Sequence, residues 1–357
     1  MVCGLMLDNA YNASGSPNIA LVKYWGRRDD ALNLPNNSSL SMTLGDGLTT
    51  TTSVLFSSKL KEDAIYINEK KLDLSSATNE KSGFMLKAIN YMRSAAKMDS
   101  HLLVVSKNSF PSDAGLASSA SGAATLVYAL NGALELNRPT KELSIIARQI
   151  SGSACRSLLG GIVKWNKGSM GDGSDSFAEQ IVSEHYWPEL IDIIAMVSES
   201  KKKVSSSEGH KATVRTSPLY KARPSIAEAS VSRVIDAVKA KDINSLSEAV
   251  MRDSNNMHAT MLDSWPPIMY LNDASKAIIE TVHEINASHG ENIAGYTFDA
   301  GPNGHIITLR KYENEIRERL SKLSGVSNIM VSSSGPGPSR ISECLITDDL
   351  IAENSKV

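Results

Sequence analysis

The sequence predicts a mixed α/β protein of two domains, and three observations predict it. At 357 residues the chain exceeds what one small hydrophobic core organises. Short apolar, strand-like runs interleave with longer segments whose apolar residues recur at helical spacing. The third observation is local. The apolar run His101-Leu-Leu-Val-Val105 leads through Phe110-Pro-Ser-Asp-Ala-Gly-Leu-Ala-Ser-Ser-Ala-Ser-Gly122 into a segment rich in helix formers, Ala123 to Glu135. A strand, a small-residue loop and a helix start, in that order, put free backbone N–H groups at a helix N-terminus. Those donors and the helix dipole suit an anion, usually phosphate. Gly115 lets a ligand approach the backbone, and Ser118, Ser119 and Ser121 add hydroxyls. The competing reading is a serine-rich helix cap. Asp113 stands apart, because an ionised carboxylate facing the ligand opposes an anion, whereas one that caps the helix does not.

Composition narrows the function. Hydrophobic residues make up 41% and charged residues 21%, as in ordinary globular proteins. The net charge is −2, and Lys201-Lys-Lys203 is the largest basic block, which argues against nucleic acid or a membrane surface as partner. Cys3, Cys155 and Cys344 show no CxxC spacing, so neither a zinc site nor a disulfide framework is indicated. The opening Met1-Val-Cys-Gly-Leu-Met-Leu7 is too short and uncharged for a signal peptide. With no apolar run of spanning length, a cytoplasmic protein is expected.

In chain order, Ser16 to Gly26 is an apolar run broken by Asn18 and Lys23; the charged Arg27-Arg-Asp-Asp30 follows at once, which suits a lysine aimed into a cleft. Ser39 to Leu44 alternates hydroxyl and apolar side chains, the pattern of a half-buried strand. Thr49–Phe56 and Ala64–Ile67 are further strands, with Asn68–Lys71 turning between hairpin arms. Gly83–Lys97 and Lys141–Ile150 are helices. Ser151-Gly-Ser-Ala-Cys-Arg-Ser157 is a second small-residue stretch, and its Arg156 is a cation suited to clamp carboxylate or phosphate. Ile162–Trp165 and Ile191–Val197 are strands, and residues 198–222 read as a long polar connection. The domain change is placed near the strand Ile191–Val197, giving 1–190 with the serine loop and 191–357 with Asp299. Ser225–Lys239, Ile243–His258, Asn272–Ser288 and Glu313–Leu323 are helices; strands follow Ala294 and His305 and close at Ile329–Val331, before a flexible loop over Ser332–Pro338.

A phosphate loop, Arg156, Lys23 and an aspartate at a strand end, Asp299, are the parts phosphoryl chemistry needs, since positioning and charge stabilisation dominate there. Asp299 is either catalytic or a turn cap before Gly301-Pro302. His258 and His305 read as structural histidines, and no protein-built metal site is indicated. Residue chemistry alone reaches a phosphate-handling α/β enzyme.

The motifs Asn18-Ile-Ala-Leu-Val-Lys-Tyr-Trp-Gly-Arg27, Leu32-Asn-Leu-Pro-Asn-Asn-Ser-Ser39, the serine loop, Ser151–Ser157, Asp253-Ser-Asn-Asn-Met-His-Ala-Thr260 and Tyr296-Thr-Phe-Asp-Ala-Gly-Pro-Asn303 together resemble the diphosphomevalonate decarboxylases. These belong to the superfamily of galactokinase, homoserine kinase, mevalonate kinase and phosphomevalonate kinase. The resemblance spans almost the whole chain. It implies an α+β, two-domain small-molecule-kinase-like fold with the site in the interdomain cleft, and commonly a homodimer. It implies that a 3-phosphorylated mevalonate loses phosphate and CO2. By resemblance Asp299 matches the essential aspartate, Lys23 its companion, and Arg156 the arginine for the substrate carboxylate. Tyr24, Ser151, Ser153 and His210 fall where the substrate or its 5-phosphate end is contacted.

Two departures carry an expectation of their own. Asp113 stands where ATP-using members have a small or neutral residue, and Lys81 where those binding a 5-diphosphate often have arginine. Both favour a branch, known among some archaeal relatives, that decarboxylates mevalonate 3,5-bisphosphate to isopentenyl phosphate with no nucleotide cofactor. The alternative is the ATP- and Mg2+-dependent decarboxylase that makes isopentenyl diphosphate.

Overall fold

The computed structural model describes residues 9–74, 80–110, 118–197 and 204–356, without the side chains of residues 80 and 81. In chain order the strands are β1 (Tyr11–Gly15), β2 (Asn18–Val22), β3 (Arg27–Asp29), β4 (Leu34–Pro35), β5 (Ser39–Thr43), β6 (Thr50–Ser57), β7 (Ala64–Ile67) and β8 (Lys70–Lys71). Helix α1 (Glu80–Ala95), strand β9 (His101–Asn108), helices α2 (Ser118–Ala133) and α3 (Thr140–Ile150), a 3-10 turn over Gly152–Leu158, β10 (Ile162–Trp165) and β11 (Ala178–Val182) follow. Then come β12 (Leu190–Val197), α4 (Ser206–Thr216), α5 (Arg223–Ala240), α6 (Ile243–Leu262), α7 (Asp273–His289), β13 (Ala294–Phe298), β14 (Gly304–Leu309), α8 (Glu313–Ser321), β15 (Val326–Ser333), β16 (Ser339–Arg340) and α9 (Asp348–Asn354).

The first sheet has the order β16-β1-β6-β9-β7-β8, all antiparallel except β7 with β9. Its strands alternate with period two. Val54, Leu102 and Val104 pack against α1, α2 and α3, while Leu55, Leu103 and Val105 pack against Ile346 and Ile351 on the other face. The second sheet, β11-β10-β5-β2, packs through Ile19, Leu21, Leu40 and Met42 onto Val231, Val234 and Val238 of α5 and Leu246 and Val250 of α6. The third, β13-β14-β12-β15, turns Ile194 and Ile307 toward that same core and Ile191, Ile193 and Ala195 toward α7 and α8. One apolar core therefore joins the second sheet to the two helices α5 and α6, which lie far from β2 and β5 in the chain.

Several expectations change. Ser39–Thr43 is buried on both faces, because the hydroxyl face meets protein too: Ser39 Oγ accepts from Arg156 and Thr43 Oγ1 donates to the Leu159 carbonyl, 2.7 Å away. The polar connection holds α4, opened by a capping box in which Ser205 and Glu208 satisfy each other's backbone N–H groups. Ser332 and Ser333 belong to β15, and the Ser333 and Thr43 carbonyls accept from Gly45 and Gly335, so this stretch is a joint between sheets. From Ser339 the chain returns to the first sheet.

Candidate functional site

The site grows from two strand ends. β2 ends at Val22, and the next residue, Lys23, is buried; β13 ends at Phe298, and the next residue is Asp299. Lys23 Nζ lies 2.6 Å from Asp299 Oδ1. The lysine side chain is 2% exposed and the aspartate 36%, so the ammonium is sealed in while the carboxylate is partly open to solvent. Burial pushes the Asp299 carboxyl up, but the Lys23 ammonium beside it, helped by His305 and Arg156, holds it below the ordinary carboxylate range. Burial in turn pulls Lys23 below the ordinary lysine range, against the pull of Asp299.

Arg156 lies on the buried 3-10 turn that follows α3. Its Nε and Nη2 donate to Asn18 Oδ1 at 3.2 and 3.1 Å, and its Nη1 donates to Ser39 Oγ at 2.6 Å. These acceptors are neutral. Among the described residues Arg156 has no ion-pair partner, so its charge is oriented but not cancelled. Asn18, missed as a functional residue, is the orienting element; its Nδ2 also donates to Ser157 Oγ and the Ser153 carbonyl. The available signal was a polar side chain opening the run Asn18–Val22, every residue of which is buried.

The turn Lys23–Gly26 is held by aromatic rings. His210 of α4 stacks on Trp25 at 4.2 Å and lies 4.5 Å from the Tyr24 ring, which meets Trp165 edge-on at 4.7 Å. Gly26 donates its N–H to His210 Nδ1 at 2.7 Å. Burial, with Arg27 nearby, drives His210 well below its ordinary pKa, so the ring is neutral. The Tyr24 hydroxyl accepts from Arg27 Nε at 2.6 Å. Gly152 allows the Ser151–Ser153 turn to press on the Tyr24 ring; a Cβ there would stand 2.7 Å from a ring carbon. Gly26 has φ +90°, and a Cβ on it would collide with the Tyr220 hydroxyl. Lys23, Tyr24, Ser151, Ser153, Arg156, His210 and Asp299 thus form one neighbourhood.

The serine loop divides. Asp113 and Gly115 lie outside the described residues, as do the Lys81 side chain and Lys201-Lys-Lys203. Ser118 and Ser119 open α2, whose first turn carries no acidic residue, while Ser121 is buried against Thr50 Oγ1 at 2.6 Å. The first N–H groups of α2 have no partner within the helix, which fits a phosphate. His258 and His305 are structural as expected: His258 Nε2 meets the Phe298 carbonyl and His305 Nδ1 meets Asp192 Oδ2. Among the described residues no group of three or more His, Cys, Asp or Glu could hold a metal, and no helix is long and apolar enough to cross a membrane.

Residues 15–178 match the diphosphomevalonate decarboxylase-like N-terminal domain, and residues 192–333 match the mevalonate 5-diphosphate decarboxylase C-terminal domain. The chain belongs to the diphosphomevalonate decarboxylase family. It is 43% identical to diphosphomevalonate decarboxylase mvd1 of Aspergillus fumigatus over 86% of this chain and 79% of that protein. Among solved structures, MDDEF in complex with MVAPP, AMPPCP and magnesium superposes with a TM-score of 0.83 and 37% identity, over 93% of this chain and 98% of that one. The structure of the Enterococcus faecalis mevalonate diphosphate decarboxylase that concerns a mevalonate diphosphate mediated ATP binding mechanism gives 0.81 and 36%, over the same shares. The family is one of carboxy-lyases of the mevalonate pathway, with the small-molecule-kinase-like fold expected from the motifs. The expectation of no nucleotide cofactor is overturned by these relatives, one of which holds AMPPCP and magnesium and another of which binds ATP. Asp113 and Lys81 were too small a departure to outweigh the rest of the chain.

Proposed function

We propose that this enzyme decarboxylates diphosphomevalonate with ATP and Mg2+, releasing isopentenyl diphosphate, ADP, phosphate and CO2. The Lys23–Asp299 pair, sealed on the lysine side and open on the carboxylate side, carries this reading. Bound ATP supplies the phosphoryl group that makes the tertiary 3-oxygen a leaving group. Ser118 and Ser119 at the start of α2 suit the nucleotide phosphates. Magnesium held largely by phosphates needs no cage of protein carboxylates.

The remaining steps fall to this chain's own side chains. Arg156, oriented by Asn18 and Ser39, holds the substrate carboxylate. As phosphate departs, positive charge develops at the tertiary carbon. A carboxylate kept ionised by Lys23 stabilises that charge more in the transition state than in the ground state, which is what accelerates the step. Its depressed pKa makes Asp299 a weak base and a dependable fixed charge. Tyr24, Ser151 and Ser153 line the approach for the phosphorylated end, and His210 keeps Tyr24 in place.

The test is stoichiometry. Diphosphomevalonate with ATP and magnesium is expected to give one ADP, one phosphate and one CO2 per turnover. ATP consumption without CO2, or no turnover, would sink the reading.

A further inference from the structure

The motif Asp253–Thr260 lies on α6 and, among the described residues, makes no side-chain hydrogen bond to Asp299 or Arg156, yet it grips the backbone on both sides of the reacting pair. Asp253 Oδ2 accepts the Lys23 N–H at 2.7 Å. Both Asp253 oxygens also receive the Arg223 guanidinium, at 2.6 and 3.0 Å, and both side chains are fully buried. Arg223 Nη2 then donates to the Lys23 carbonyl at 3.0 Å, as does Asn37 Nδ2. Arg223 pairs with Asp253, while the Lys23 ammonium makes its direct contact with Asp299. The next residue of the helix, Ser254, is buried, and its Oγ accepts the Phe298 N–H at 3.1 Å. One turn further on, His258 Nε2 donates to the Phe298 carbonyl at 3.3 Å. Phe298 is the residue before Asp299.

We propose that Asp253 and Ser254, with Arg223 and His258, are positioning residues that set the Lys23–Asp299 separation by holding the N–H and C=O groups of Lys23 and Phe298. One short stretch of one helix, Asp253 to His258, registers two strand ends 276 positions apart in the chain. The catalytic meaning of this clamp rests on the proposed decarboxylation, since only then do Lys23 and Asp299 meet the reacting carbon. Small displacements of such a pair cost rate steeply, because a misplacement of about 1 Å is worth roughly a hundredfold.

Ser254→Ala removes one oxygen and leaves the buried ion pair intact. It is expected to lower kcat about tenfold or more, with KM for diphosphomevalonate within about threefold of the parent, and to lengthen the Lys23 Nζ–Asp299 Oδ1 contact in its crystal structure. Asp253→Asn, which leaves Arg223 uncompensated and endangers folding, is a second arm expected to lose more. A Ser254→Ala enzyme with parental kcat, or one whose Lys23–Asp299 contact is unchanged, overturns the clamp. A parent enzyme that does not turn over diphosphomevalonate with ATP overturns the function instead, and the clamp is then judged on the variant's contact distance.

Discussion

At the scale of the residue, the chemistry depends on a carboxylate that burial and pairing pull in opposite directions. Desolvation alone would raise the Asp299 pKa. The ammonium of Lys23 at 2.6 Å reverses the outcome. Replacing Asp299 by Asn keeps the shape and removes the charge, leaving the buried Lys23 uncompensated. The variant is expected to lose about 10²- to 10³-fold in kcat, the range seen when one preorganised electrostatic group is removed. KM should stay within a few fold, because Arg156 and Tyr24 are untouched. Steady-state rates of CO2 release check this; retention of more than about a tenth of kcat would make Asp299 a structural partner of Lys23 only. Asp299, Lys23 and Arg156 were legible as charged residues at strand ends and in small-residue turns. Asn18 and Asp253 were not, because the chemistry they serve is reached through another residue, and a buried polar side chain looks the same in sequence whether it caps a turn or orients a guanidinium.

At the scale of the element, the site depends on α4 and α6 docking through neutral histidines. His210 of α4 accepts from Gly26, and His258 of α6 donates to Phe298. Burial lowers both, His258 to about 4. The unfolded chain holds histidines near 6.5, so between about 4 and 6.5 it binds more protons than the folded enzyme. Stability from these groups is complete above about pH 6.5 and is lost as the pH falls toward the folded values. The melting temperature is therefore expected to drop across pH 6.5 to 4, and His258→Gln should make that drop shallower. Asp299 acts below this window: its stabilisation is complete above the unfolded aspartate value of about 3.9 and fades only as the pH falls through its lower folded value. A melting profile whose slope is the same in His258→Gln would refute the assignment. Strands that are short apolar runs were legible, such as Ala64–Ile67 and the run from His101. Helix α4 was not, because its composition is polar and its signal is the short Ser205–Glu208 capping box rather than an apolar stripe.

At the scale of the whole molecule, strands near the start of the chain share a core with helices and a strand beyond residue 223. Ile19, Leu40 and Met42 share a core with Val231, Val234, Leu246 and Ile307. The last residues close the circuit: Ser339 and Arg340 pair with Ser14 and Ala13, and Ile346 and Ile351 cover Leu55, Leu103 and Tyr66 on the outer face of the first sheet. No periodicity in the tail marks this return, since a two-residue strand and a seven-residue helix are too short to show one. The consequence is cooperative unfolding. Trp25, Trp165 and Trp187 are all buried, so fluorescence reports on the site, the second sheet and the shared core together. Equilibrium urea unfolding followed by fluorescence and by far-UV circular dichroism is expected to give coincident single transitions. Ile351→Ala removes a fully buried side chain far from the site and should cost roughly 2–5 kcal/mol. Because the shared core couples the layers, it should move both curves to lower urea by the same amount while leaving KM unchanged. Two separated transitions, or an Ile351→Ala midpoint that shifts in one probe alone, would mean that the first sheet unfolds by itself and that the joint core carries less of the coupling than its burial implies.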